Sequence, residues 1–130
     1  MKNDITIKKT DLLTTIEDIG ISEVIKPLVN EIHLFDTFIA GTSYIEDKSI
    51  FDKLEIGEKL ILQREDNKFD TKAILILNNN KEKLGYIPEK DNIVFSRLMD
   101  AGKLLIAKVN DKANQEYFIK ISIGIYLVDY

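Results

Sequence analysis

The chain has 130 residues, 45% of them hydrophobic, with a formal net charge of −4 and a pI near 5.1. That length suits one domain with a core of its own, and the acidic balance argues against strong non-specific duplex binding, which draws on phosphate neutralisation by Lys and Arg. The lack of cysteine excludes disulfides and thiolate metal sites, and no apolar run approaches the roughly 20 residues that cross a bilayer.

The chain starts with the polar stretch Met1-Lys-Asn-Asp-Ile5, which has no signal-peptide core, so a cytoplasmic location and no membrane partner are expected. Residues 10–30 read as helical. Thr10 or Asp11 can cap a first piece that Gly20 ends, and Ser22 starts a second through Val24, Ile25, Leu28 and Val29. The expected organisation is an N-terminal helical arm over 1–30 and a β-barrel domain over 31–130. The arm either packs on the barrel end or offers a partner surface.

From Glu31 the period changes. Ile32, Leu34 and Phe38-Ile-Ala40 predict one or two strands ending at Gly41, and Ser49–Leu54 a short helical turn. Lys59–Gln63, Thr71–Leu77 and Lys83–Ile87 read as strands. Asn78-Asn-Asn-Lys81 is a hairpin turn, because Asn tolerates the left-handed backbone such turns need. Asn92 is placed to cap a helix carrying Ile93, Val94, Phe95, Leu98 and Met99, stopped by Gly102. Leu104–Val109 is a strand, Asn110–Gln115 its turn, and Tyr117–Val128 the closing strand. This order is mainly β, without βαβ alternation. It predicts a small OB-like antiparallel barrel of about six strands with one or two accessory helices.

The chemistry is narrow. With a single histidine, His33, on an apparent strand, neither a zinc site nor a Ser-His-Asp triad is supported. No Walker-type loop is present, so no cofactor and no enzyme activity are expected. Glu65, Asp66 and Asp70 share one turn, but Arg64, Lys68 and Lys72 alternate with them, the pattern of a solvated, mutually screened loop. The same turn holds Phe69, an apolar ring where loops lie in water. It either plugs a core end or waits for a flat partner such as a nucleobase. Small barrels bind single strands with aromatic platforms and Lys or Arg along the backbone. The candidate set is Tyr44, Arg64, Asn67, Lys68, Phe69, Asp70, Lys72 and Tyr86, with single-stranded nucleic acid, weakly bound, as partner. The competing reading makes Tyr44 and Tyr86 strand residues at the core edge, Phe69 a barrel cap and Asp70 an acceptor for turn amides.

The stretch Arg64-Glu-x-Asn67-x-Phe69-Asp70, then Ala73-Ile74, then Leu84-Gly-Tyr-Ile-Pro88, resembles the signature of the HIRAN domain. The likeness extends to Phe38-Ile-Ala-Gly41 with Tyr44 and to Arg97-Leu-Met-Asp-Ala-Gly102, roughly residues 31 to 128. The resemblance implies an OB-like barrel with attached helices. In members of the helicase-like remodeler type, two aromatics sandwich the terminal bases of single-stranded DNA, and the Asp beside the second contacts the free 3′-hydroxyl. Those roles fall on Tyr44, Phe69 and Asp70. A role in DNA repair or processing follows, with a helicase or nuclease as protein partner. The chain departs from the pattern at Ser43 and Glu89, where DNA-end-binding members carry basic residues, and it lacks the Pro of the loop after Glu65. Those losses imply weaker DNA binding. The alternative is a protein-interaction or assembly domain whose groove no longer binds DNA.

Overall fold

The computed structural model describes residues 30–114 and 118–129. Six strands form one sheet: β1 (Asn30–Phe38), β2 (Lys59–Arg64), β3 (Ile74–Leu77), β4 (Lys83–Tyr86), β5 (Leu104–Asn114) and β6 (Ile119–Asp129). Their order across the sheet is β1-β6-β5-β2-β3-β4. Helix α1 (Ser49–Asp52) lies in the β1–β2 connection and α2 (Asn92–Asp100) in the β4–β5 connection, with single 3-10 turns at Thr42–Tyr44 and Glu89–Asp91. Glu31–Val128 form one compact unit. The helical reading of residues 10–30 lies outside the described residues except at Asn30, which starts β1. Among the described residues no helix is long and apolar enough to cross a membrane.

The core follows from the two-residue period of the strands, which sends alternate side chains to one face. Ile121, Ile123 and Ile125 of β6 are fully buried, as are Leu105, Ala107 and Val109 of β5 to within 1%. Leu60 and Leu62 of β2 and Ile74 and Ile76 of β3 continue that face. Phe51, Leu54, Ile87 and Phe95 cover it from the connections. Each fully buried Ile, Leu or Phe contributes about 1.5–3 kcal/mol relative to exposure, so this layer is the main source of stability.

The sheet is mainly β and antiparallel, as the sequence predicts, but it is open, so the barrel is OB-like at most. Its two edge strands approach just beyond β1, where Ala40 and Tyr86 exchange backbone hydrogen bonds of 2.8 and 2.9 Å. Gly85 makes that approach possible. A Cβ there would sit 2.3 Å from the Ala40 carbonyl oxygen and 2.6 Å from Ile39 Cγ2. The glycine of Leu84-Gly-Tyr-Ile-Pro88 is therefore a contact requirement.

The start of β3 and the end of β5 differ from the sequence expectation. β3 begins at Ile74 and not at Thr71, because residues 71–73 are drawn into the preceding loop. The Lys72 amide donates to the Asp70 carboxylate at 2.9 Å and the Ala73 amide to the Asp70 carbonyl at 3.3 Å. β5 runs through Asn110 to Asn114, with a register shift between Val109 and Asp111 where a turn is expected. A bulge absorbs the polar residue without ending the ladder, and the Asn110 amide donates instead to Asp36 at 3.1 Å.

Candidate functional site

The β2–β3 loop, residues 65–73, is built by local side-chain-to-backbone bonds. Asn67 Oδ1 accepts from the amides of Phe69 (2.9 Å) and Asp70 (2.7 Å), an Asx turn that reverses the chain in two residues. Its Nδ2 donates to Glu65 at 3.2 Å. At the loop neck the Glu65 amide donates to the Ala73 carbonyl at 2.9 Å. The turn projects Phe69 outward, 86% exposed, with Lys68 Nζ 5.1 Å from its ring centroid. Phe69 is not a barrel plug.

Helix α2 holds this loop at both of its ends. At the C-terminal end, Asp100 receives Arg64 Nε at 2.9 Å and Nη2 at 3.3 Å. The same guanidinium donates to the carbonyls of Ala73 (2.6 Å) and Thr71 (2.9 Å). Its planar fork thus joins strand, loop and helix in one geometry that Lys could not copy. The hydrogen bond from Arg64 holds the Asp100 carboxyl below its ordinary value. At the N-terminal end, Asn92 Nδ2 donates to Asp70 Oδ2 at 2.8 Å, and Asn92 is only 2% exposed. Asn92 is the first helical residue and makes no cap. The preceding Asp91 makes none either, since its carboxylate accepts from Thr37 Oγ1 at 2.8 Å.

The second exposed ring belongs to Tyr44, 88% exposed at the end of the 3-10 turn Thr42–Tyr44. Gly41 enters that turn at φ 80°, a left-handed conformation natural to glycine. Buried Thr42 donates its hydroxyl to the Ile119 carbonyl at 3.1 Å, and Lys48 Nζ donates to the Thr42 carbonyl at 2.7 Å. Tyr44 is thus no core-edge strand residue.

Tyr86 connects the two displays. Its backbone bridges Ala40, two residues before the Tyr44 turn, and its hydroxyl donates to Glu65 at 2.9 Å, at the neck of the Phe69 loop. Half-buried, with Lys83 Nζ 4.6 Å over its ring, Tyr86 is a strut between the exposed rings. Beside the Tyr44 turn lies a shallow cleft lined by Phe38, Ser43, Phe118 and Lys120. Lys120 and Lys90 each bring an ammonium to within 6 Å of the Phe38 ring, at 5.7 and 5.9 Å. Neither makes an ion pair with a carboxylate among the described residues.

The predicted residues therefore fall into three groups. Tyr44, Phe69 and Lys68 are exposed, and Asp70 and Lys72 lie half-buried beside Phe69. Arg64, Asn67 and Tyr86 spend their polar atoms inside the frame. Sequence reasoning missed Asn92, Asp100 and Glu65 as the frame's partners, and Phe38, Phe118, Lys90 and Lys120 as a second basic and aromatic surface. The spacing of Arg97-Leu-Met-Asp100 was the one signal that pointed toward Asp100. His33 Nε2 donates to the Asp36 carboxylate at 2.7 Å, and the described residues hold no cluster of His, Asp and Glu suited to a metal ion. The exposed chemistry is thus two outward rings, a carboxylate and scattered ammonium groups.

The HIRAN domain model matches residues 32–128. The fold is similar to a crystal structure of a protein from Lactobacillus plantarum, at 26% identity and a TM-score of 0.72, over 78% of this chain and 99% of that one. It is also similar to the HIRAN domain of human HLTF, at 19% identity and a TM-score of 0.61, over 75% of this chain and 78% of that one. No curated protein sequence matches the chain.

Proposed function

The chain belongs to the HIRAN domain family, whose members are nucleic-acid-binding modules, and on that premise we propose that it binds single-stranded DNA at a 3′ end. The observation that carries the reading is the pair of rings, Tyr44 and Phe69, left 88% and 86% exposed on turns held by hydrogen bonds to the frame. A flexible loop can show an apolar ring to water by accident. A loop fixed by nine side-chain hydrogen bonds at Asn67, Asp70 and Arg64 presents it in one place. Stacking is the interaction such a ring offers a single strand, at about 1–3 kcal/mol per base.

In this reading the terminal base stacks on Tyr44 and Phe69, and the Asp70 carboxylate accepts the 3′-hydroxyl proton. A carboxylate suits that end, because it repels the phosphate that an internal or phosphorylated position carries. Lys68 and Lys72 flank the terminal nucleotide. The preceding phosphates run past Ser43 into the Phe38 cleft, where Lys90 and Lys120 supply the positive charge that Ser43 and Glu89 do not. Arg64, Asn67 and Tyr86 act by holding the platform and leave the phosphates to the lysines. The domain works without chemistry of its own, in the cytoplasm, delivering a DNA end to a helicase or nuclease in repair or processing.

Fluorescence anisotropy at low salt with a short labelled oligonucleotide tests this. The native protein should bind weakly, and Phe69→Ala and Tyr44→Ala should each cost about tenfold or more while leaving the fold intact. Lys120→Ala should flatten the salt dependence by about one phosphate contact. The net charge of −4 favours a second reading, a protein-interaction groove. Absence of binding at high micromolar protein, or equal binding by Phe69→Ala, would refute the stacking reading and favour the second.

A further inference from the structure

We propose that Asn92 is a positioning residue that sets the choice between 3′-hydroxyl and 3′-phosphate ends. The inference rests on the reading of Asp70 given above. Both oxygens of the Asp70 carboxylate, next in the chain to the exposed Phe69, are engaged. Oδ1 accepts the Lys72 amide at 2.9 Å and Oδ2 accepts Asn92 Nδ2 at 2.8 Å. With two lone pairs per oxygen, each keeps one acceptor direction for a ligand. Two fixed donors also remove the rotation that a turn Asp would otherwise have, so the open lone pairs point one way.

The chemistry of the second donor matters. A Lys or Arg at this place would neutralise the carboxylate and turn the pocket into a phosphate acceptor. The amide of Asn92 is neutral, so it orients Asp70 while leaving its full negative charge facing the ligand. That charge attracts a hydroxyl proton and repels a phosphate. Asn92 can hold this geometry because it starts α2, is 2% exposed, and sits on a helix whose other end is tied to the same loop through Asp100 and Arg64. A residue placed where a helix cap is expected, yet turned to a carboxylate on another loop, has its side chain committed to that carboxylate.

The test compares two oligonucleotides identical but for a 3′-hydroxyl or a 3′-phosphate, against native protein, Asn92→Leu, Asp70→Asn and the double variant. Leu keeps the branched heavy-atom skeleton and removes the donor. The native protein should prefer the hydroxyl end by about tenfold, the value of one charged hydrogen bond. Asn92→Leu should reduce the preference to about threefold or less, chiefly by weakening the hydroxyl end. Adding Asn92→Leu to Asp70→Asn should change nothing further, since coupled residues are not additive. A purely structural role would weaken both ends alike and leave the ratio untouched, which overturns the proposal. A native protein that binds DNA without preference also overturns it, whereas loss of all DNA binding refutes the underlying reading. Should Asn92→Leu not fold, nuclear magnetic resonance of the native protein decides. The Asn92 side-chain amide should shift on adding the hydroxyl end and less on adding the phosphate end. Equal shifts would sink the idea.

Discussion

The Tyr44 turn and the Phe69 loop present nearly identical exposure by opposite means. The Tyr44 turn is held mostly by backbone. Gly41 sets the turn, the Ala40–Tyr86 bridge fixes its base, and Thr42 and Lys48 add two bonds to carbonyls. The Phe69 loop is held mostly by side chains, with Arg64, Asn67, Asp70, Asn92 and Asp100 in one connected set. A backbone frame depends on space and is indifferent to charge. A side-chain frame depends on charge and on each partner being present. The contrast teaches that one ring is placed by the fold and the other by a polar network laid over it.

Breaking the backbone frame should have the largest effect. Gly85→Ala drives a Cβ into the Ala40 carbonyl and Ile39, and should destabilise the domain by about 3 kcal/mol in chemical denaturation. The Tyr44 turn should loosen with it. Breaking the side-chain frame should be more local. Arg64→Ala removes the fork to Asp100 and the loop carbonyls, and should cost about 1–2 kcal/mol, discounted because Asp100 is half-exposed. Hydrogen exchange should then rise across residues 65–73 and stay unchanged at Thr42–Tyr44.

Acid should separate the two frames without a mutation. The Asp100 carboxyl is held down by Arg64, so its contribution is present above the unfolded value, near 4, and is lost as the pH falls through the lower folded value. A pH titration by nuclear magnetic resonance should show the Thr71 and Ala73 region moving in that window, while the ties of the Tyr44 turn, to backbone carbonyls, do not respond. Equal acid sensitivity at both turns would contradict the comparison. The smallest effect is expected from Lys48→Met, which removes one bond to the Thr42 carbonyl at about 0.5–1 kcal/mol. It should sharpen the contrast by raising exchange at Ile45 and leaving the Phe69 loop alone.

Much of this molecule is legible from residue order. Alternating Ile121, Ile123 and Ile125 mark a half-buried strand, and Asn78–Lys81 a hairpin turn that the structure forms, although its left-handed residue is Lys81 (φ 64°) and none of the asparagines. Tyr44, Phe69 and Asp70 are identifiable as a set through the order and spacing of their motif. The roles inside that set are less legible. Arg64 reads as a phosphate ligand because an Arg beside an aromatic turn so often is one, yet its donors go to Asp100, Ala73 and Thr71. Thr71 to Ala73 read as strand because their pattern suits one, and the competing Asp70 bonds are local events that periodicity does not register.

What the sequence by itself determined is whatever rests on local chemistry: strand periodicity, turn-forming Asn and Gly, and the identity of the aromatic-acid pair. Those depend on neighbours a few residues apart, so chain order encodes them directly. Only the tertiary structure decided the need for Gly85, the two-ended grip of α2 on the Phe69 loop, and the burial of Asn92 against Asp70. Each joins groups 22 to 45 residues apart, at Asn92–Asp70, Arg64–Asp100 and Gly85–Ala40. A polar side chain has many partners of equal chemistry available along a chain, and only packing decides which one it meets.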